Sequence, residues 1–325
     1  MTIEISVSSQ ISANPTAFDI EVAEHVLATT WIGMDLTLLG ATVPVGFDDV
    51  VERLNFPRLA ASVRAAQAGG IDFVTLDASF LTTTETNGRE HAYDAAETAA
   101  KLAEISTAGI FAGVEADPAA MTKAIELLSR QHKGWAGLTI PLHTGSDFDG
   151  IKKAANLAAR AGVKVTVIIT DPRISAERAA IVASIADVVR LRVREPYAAR
   201  SARFAIRAAG KELGKDIPVL LEIGIVISGS VAAAEERALL IEDMNGTDLF
   251  PGIVSVLGTV YNVADAVESY VGLGAADGVI LIPASLPTDL ASVLKGFCRS
   301  SRLAQSWSRR KTHNEVSRTR KRADL

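Results

Sequence analysis

Short, almost wholly apolar runs rich in β-branched residues alternate with alanine-rich stretches along most of the chain. The runs are IGMDLTLL (32–39), DFVTLD (72–77), AGIFAGV (108–114), WAGLTIPL (135–142), VKVTVIIT (163–170), DVVRLRV (187–193), PVLLEIGIVIS (218–228) and DGVILIP (277–283). Apolar on both alternating faces, they read as strands covered on both sides, which is the pattern of a parallel sheet. Between them lie helical patterns with recognisable ends. Phe56–Ala68 stops at Gly69-Gly70, and Asp117-Pro118 opens a helix with an N-cap followed by proline in the first turn. Ser146 and Asp149 stand at capping-box spacing before Ile151, Ala154, Ala155, Ala158 and Ala161, which form one apolar stripe ending at Gly162; Ser175 is placed to cap the next helix.

Eight strands, each followed by a helix, predict an α/β fold of the (β/α)8 TIM-barrel type, because parallel strands need crossover connections. An open doubly wound sheet is the competing topology. It would carry GxGxxG or GxxxxGK[ST] after an early strand, and neither occurs. The expected organisation is an N-terminal extension over 1–30, a barrel over 31–298 and a basic tail over 299–325. Within the extension, TIEISV is a possible strand and IEVAEHVLA a possible helix; the tail has few apolar residues and reads as disordered or weakly helical.

Charge sharpens this division. Residues 295–325 hold ten Lys/Arg against Glu315 and Asp324, a net of +8, which leaves the first 294 residues at −13 of the overall −5. So acidic a body repels nucleic acid. A single cysteine, Cys298, allows no internal disulfide, and no apolar run reaches the ~18 residues of a membrane span. MTIEISVSSQ lacks the basic start and apolar core of a signal peptide, so a cytoplasmic setting without membrane or nucleic-acid partners is expected.

In a barrel the site lies where strands end at their C-termini. That places Asp77, Ser79, Glu115, His143, Thr170, Asp171, Arg194, Glu195, Ser230 and Ser285 near it. Ser228-Gly229-Ser230 runs directly into the helix VAAAEERALL. Gly229 and Ser230 are therefore candidates for a phosphate cradle of hydroxyl and free amides, against the plainer reading of a serine N-cap. His143 could contact phosphate or move a proton. Asp77 could hold a ligand or cap its own turn. Arg190 and Arg192 share a strand face, with Glu222 on the next strand and Asp35 on the first, and an internal ion-pair network is preferred there over an anion site. No HExxH, CxxC or comparable spacing suggests a metal, and no GxSxG elbow is present.

Several stretches carry a family likeness: LAASVRAAQAGGIDFVTLDASF (59–80), HAYDAAETAAKLAEISTAGIFAGV (91–114), SRQHKGWAGLTI (129–140), IADVVRLRVREPYAARSARFAIRAAG (185–210) and GTVYNVADAVESYVGLGAADGVILIPASLPTDL (258–290). Over about 56–296 the chain resembles the luciferase-like flavin-dependent monooxygenases, the group of bacterial luciferase and nitrilotriacetate monooxygenase. The resemblance implies reduced FMN supplied by a separate reductase, O2, a small organic substrate and a homodimer. Some branches use a deazaflavin instead, and a homologue that only binds flavin is a further alternative. By the same resemblance Asp77 and Gly113 would line the flavin ring, and Thr139 and His143 its ribityl or phosphate part. The chain also departs from the family: Ala136 stands where an Asn is common, LTLLGATVP has no histidine, and TDPRISAERAA has no glycine for phosphate. The excursion that roofs the pocket after strand four is shortened to HTGSDFD.

Overall fold

A computed structural model describes residues 30–39, 56–86, 89–129, 135–143, 145–286 and 288–297. The possible strand and helix in the N-terminal extension and the basic tail lie outside these residues. In chain order the first elements are β1 (Trp31–Asp35), α1 (Phe56–Ala68), β2 (Phe73–Leu76), β3 (Thr82–Thr86), β4 (Arg89–Tyr93) and α2 (Ala95–Ile105). There follow β5 (Gly109–Gly113), α3 (Pro118–Leu128), β6 (Trp135–Pro141), α4 (Phe148–Arg160), β7 (Lys164–Ile169), α5 (Ala176–Ile185), β8 (Val188–Leu191) and α6 (Pro196–Glu212). The chain continues through β9 (Val219–Ile227), α7 (Val231–Asn245), β10 (Val254–Gly258), α8 (Val260–Gly272), β11 (Gly278–Pro283) and α9 (Thr288–Ser292).

Eight strands close into a parallel barrel in the order β9-β11-β1-β2-β5-β6-β7-β8 and back to β9. These are the eight runs read from the sequence. Their outward residues, such as Ile32, Val74, Ile110, Leu138, Val167, Val189 and Leu221, pack with the buried helix faces into one large core. The inward residues form two layers. At the N-terminal end lie Phe73, Phe111, Leu220 and Ile280, with Trp31 and Trp135 against them. Their rings meet edge to face: Phe73–Phe111 at 5.4 Å and 86°, Phe111–Trp135 at 5.1 Å and 77°. Two inward glycines make this possible. A Cβ at Gly33 would overlap the Phe73 ring, and one at Gly109 the Trp135 ring. Towards the C-terminal end the interior turns polar, with Asp35, Thr75, Thr139, Thr166, Arg190 and Glu222 all buried.

Two features go beyond the predicted eight-strand repeat. β3 and β4 form an antiparallel hairpin between β2 and α2. β10 pairs in parallel with Ile223–Ile227, the far half of β9, whose near half pairs with β8. The expected helix VAAAEERALL forms as α7 and lays Ala234 and Ala238 on Val226, with Leu249 and Phe250 beside them. Phe250 covers Gly224, where a Cβ would strike its ring.

Most predicted caps hold. Asp117 accepts from Ala120 N with Pro118 in the first turn, and Ser175 accepts from Arg178 N. The expected Ser146–Asp149 box does not form. Ser146 Oγ is engaged by His143 N at 3.1 Å, so Asp147, one residue closer to the helix, caps α4 by accepting from Gly150 N.

Candidate functional site

The polar half of the barrel interior is organised around two arginines. Arg190 Nε lies 2.5 Å from Glu222 Oε1, and its Nη2 lies 3.2 Å from Asp35 Oδ2. Arg192 Nε reaches Glu222 Oε2 at 2.7 Å. Asp35 also accepts from Thr75 Oγ1 at 2.8 Å and from Thr37 N at 2.9 Å. The preferred reading, an internal ion-pair network, is what forms. Alternation along β8 aims Arg190 and Arg192 to one side, and the β8–β9 register sets Glu222 just beyond Arg190. Burial alone would lower the Arg190 pKa. The charges of Glu222 and Asp35, the Glu222 hydrogen bond and the more distant charge of Asp77 outweigh it and hold the guanidinium above its ordinary value. Arg192 differs, being 35% exposed.

The sequence candidates separate into two groups. Asp77, Gly113 and Thr139 come together at neighbouring strand ends. Gly113 pairs with Thr139, and Thr139 with Thr166. A Cβ on Gly113 would run into the Asp77–Ala78 backbone, so only glycine lets β5 approach that turn. Asp77 caps its own turn: its Oδ1 accepts from Ala78 N, while its N–H donates to Thr37 Oγ1. His143 is exposed beyond β6, in a turn closed by Ser146. Gly229 and Ser230 are elsewhere, at the end of β9, three strands around the barrel from β6. There Ser230 is the N-cap of α7, accepting from Ala233 N, and both residues are exposed.

Two residues that sequence reasoning did not single out belong beside this group. Thr166 Oγ1, like Thr139 Oγ1, is buried with no hydrogen-bond partner among the described residues. Buried hydroxyls are normally satisfied, so an adjacent unpartnered pair facing the interior marks a place for a polar atom of something else. The signal available was Thr139 and Thr166 alternating with apolar residues inside otherwise apolar strands. Asp289 was also missed. It is fully buried, accepting from Arg237, Ile227 N and Ser285 N, and so fastens α7 and the β11–α9 turn to the end of β9. Among the described residues no cluster of three His, Cys, Asp or Glu could hold a metal ion, and no helix is long and apolar enough to cross a membrane.

No protein-family model matches the chain, and no curated protein sequence does. Solved structures do. EDTA monooxygenase (EmoA) from Chelativorans sp. BNC1 superposes with a TM-score of 0.64 at 12% identity, over 86% of this chain and 94% of that one. A riboflavin lyase (RcaE), solved with modified FMN and riboflavin, gives 0.59 at 13% identity, covering 83% and 90%. The coenzyme F420-dependent tetrahydromethanopterin reductase of Methanopyrus kandleri gives 0.51 at 11% identity, covering 82% and 97%. At these identities the likeness establishes the fold: a luciferase-like (β/α)8 barrel.

Proposed function

We propose that this protein is a flavin-dependent oxidoreductase, and more specifically a monooxygenase that uses reduced FMN and O2 on a small organic substrate. The observation that carries the reading is the unpartnered pair Thr139 and Thr166 in a polar layer at the catalytic end of a luciferase-like barrel. Flavin use in structures of the same fold supports it: EmoA is a monooxygenase, and RcaE was solved with modified FMN. A deazaflavin is the second reading, supported by the likeness to the F420-dependent reductase.

The residues present fit such a group. The unpartnered hydroxyls of Thr139 and Thr166 would donate to its carbonyl or ribityl oxygens. Arg192, held by Glu222 but open to the mouth, would face its electron-rich edge. Asp77 and Gly113 would form the wall against its ring, while His143 or the Gly229–Ser230 turn would meet the phosphate. When bound, the reduced flavin supplies the electrons for oxygen activation, or hydride in the deazaflavin case. The chain's own part is to orient and to exclude water. Glu222 fixes both guanidinium planes, the aromatic layer seals the barrel below, and Phe250 with α7 covers one side above.

A separate flavin reductase is the proposed electron source. A homodimer is also proposed, and exposed Leu239, Leu240 and Met244 on α7 offer an apolar surface for it. Sedimentation of the parent chain and of Leu239→Glu/Leu240→Glu tests that: a dimer that becomes a monomer is expected.

Titration with FMN and, in parallel, with the deazaflavin, followed by flavin fluorescence, tests cofactor use. Saturable binding of FMN with Kd of about 10 µM or tighter is expected, with Thr139→Val and Arg192→Ala each weakening it about tenfold, or ~1.4 kcal/mol. Asp77→Ala should weaken binding more than Asp171→Ala, because Asp171 only closes its own turn onto Arg173 N. Oxygen uptake coupled to product formation with reduced FMN then supports the monooxygenase; tight binding without turnover supports a flavin-binding protein. Failure of a folded protein to bind either cofactor overturns the proposal.

A further inference from the structure

The N-terminal end of the barrel, away from the site above, opens into a cavity of about 510 Å³. Its walls are the aromatic layer, with Trp31, Phe73, Phe111 and Trp135 lining it beside Ile217 and Leu220. Trp31 remains 39% exposed there. A second groove, of about 630 Å³, shares Lys215 and Asp216 with this cavity and runs along the end of α6 past Arg203, Phe204, Arg207 and Lys211. Around the two, Lys164, Arg203, Arg207, Lys211 and Lys215 face Asp187, Asp216 and Asp277. The carboxylates are engaged: Asp187 accepts from Val165 N, Asp216 pairs with Arg207, and Asp277 pairs with Arg203 and Arg207. An apolar, aromatic hollow thus continues into a surface with excess positive charge, and its complement is a segment that is apolar on one side and acidic on the other.

We infer that residues 18–28 of this same chain, FDIEVAEHVLA, cover the N-terminal opening of the barrel. Chain connectivity puts them there. Ala28 stands three positions before Trp31, at most about 11 Å of extended chain, and Trp31 is part of the cavity wall. In helical spacing Phe18, Val22, Val26, Ala23, Leu27 and Ile20 span one half of the turn, interrupted by Asp19, and Glu21 and Glu24 fall on the other half. Residues 1–29 contain four acidic residues and no Lys or Arg. The other segments fit less well. Residues 40–55 carry apolar and acidic side chains but run from the C-terminal end of β1 to the start of α1, at the opposite end of the barrel, and the remaining two have the wrong charge. Residues 130–134, RQHKG, carry Arg130 and Lys133 with no apolar side chain, and residues 295–325 are net +8. Both are repelled by the lysines and arginines that attract residues 18–28. A tether this short also keeps the segment at a high effective concentration, so modest contacts suffice to hold it.

The test uses the full chain carrying Trp307→Phe, so that the only remaining tryptophans, Trp31 and Trp135, both report from the cavity. Blue-shifted emission and slow acrylamide quenching are expected, together with no binding of added indole. Val22→Asp/Val26→Asp in that background should shift emission to the red, raise the quenching constant several-fold and admit indole. Glu21→Lys/Glu24→Lys, which keeps the apolar residues, should give the same change in lesser degree; should the aspartate pair fail to fold, this pair decides the question. Parent emission already as red and as quenchable as free tryptophan would overturn the inference. So would indole binding equally to parent and variants, since the cavity would then be an open site for small arenes.

Discussion

Glu222 is the residue on which the polar interior depends, because a single carboxylate holds both Arg190 and Arg192. Glu222→Gln leaves Arg190 buried with Asp35 as its only charged partner and should cost about 3–5 kcal/mol, measured as a lower urea midpoint at unchanged slope. A loss below about 1 kcal/mol would mean that the pairs behave like solvated surface bridges. Gly109 should be as intolerant for a steric reason: Gly109→Ala drives a methyl into the Trp135 ring, and overpacking of this kind costs about 1–3 kcal/mol. Asp277 gives a pH test. Burial opposes its ionisation, but hydrogen bonds from Arg203 and Val219 N and the charges of Arg203 and Arg207 prevail and hold its pKa below the ordinary value. Its contribution to stability is therefore complete above pH ~4 and is lost as pH falls through the lower folded pKa. Asp277→Asn should lower stability at pH 7 and flatten the acid limb of the stability profile. These residues differ in how visible they were. Arg190, Arg192, Glu222 and Asp35 could be brought together from strand alternation alone, because charged side chains in covered strands must find each other. Thr139 was named only through the family resemblance and Thr166 not at all, since a threonine in a strand is ordinary until the structure shows that its hydroxyl has no partner among the described residues.

At the scale of elements, the eight barrel strands were legible because each is covered on both faces and so is apolar throughout. The two additions lack that mark. The β3–β4 hairpin is built from TTTET and REHAY, whose alternation is too polar to register, although Asn87-Gly88 between them is a recognised hairpin dipeptide. β10 is a half-exposed edge continuing the barrel wall, and VSVLG looks like any loop rich in valine. α7 buries only Ala234 and Ala238, so its position depends on the Arg237–Asp289 clamp more than on an apolar face. Asp289→Ala strands Arg237 and two backbone N–H groups and should cost about 3–5 kcal/mol, with amide exchange accelerating across α7 and Ser228–Ser230 before the rest of the barrel. Ser230→Ala removes one cap and should cost about 1 kcal/mol. If the Gly229–Ser230 turn also holds phosphate, the same variant weakens FMN but leaves riboflavin binding unchanged.

The whole molecule is polarised along the barrel axis. One end is a hollow of aromatic rings beneath a basic rim; the other is a layer of paired charges, two free hydroxyls and short loops. The proposed cofactor site lies at the second end and the proposed seat of residues 18–28 at the first. Hydrogen exchange of the full-length protein with and without saturating FMN separates the two ends most directly. Protection is expected at 75–79, 113–115 and 139–143, with no change at 162–164, 186–188 and 215–218. Protection confined to that second set would place the flavin among the aromatic rings at the N-terminal end and contradict the assignment.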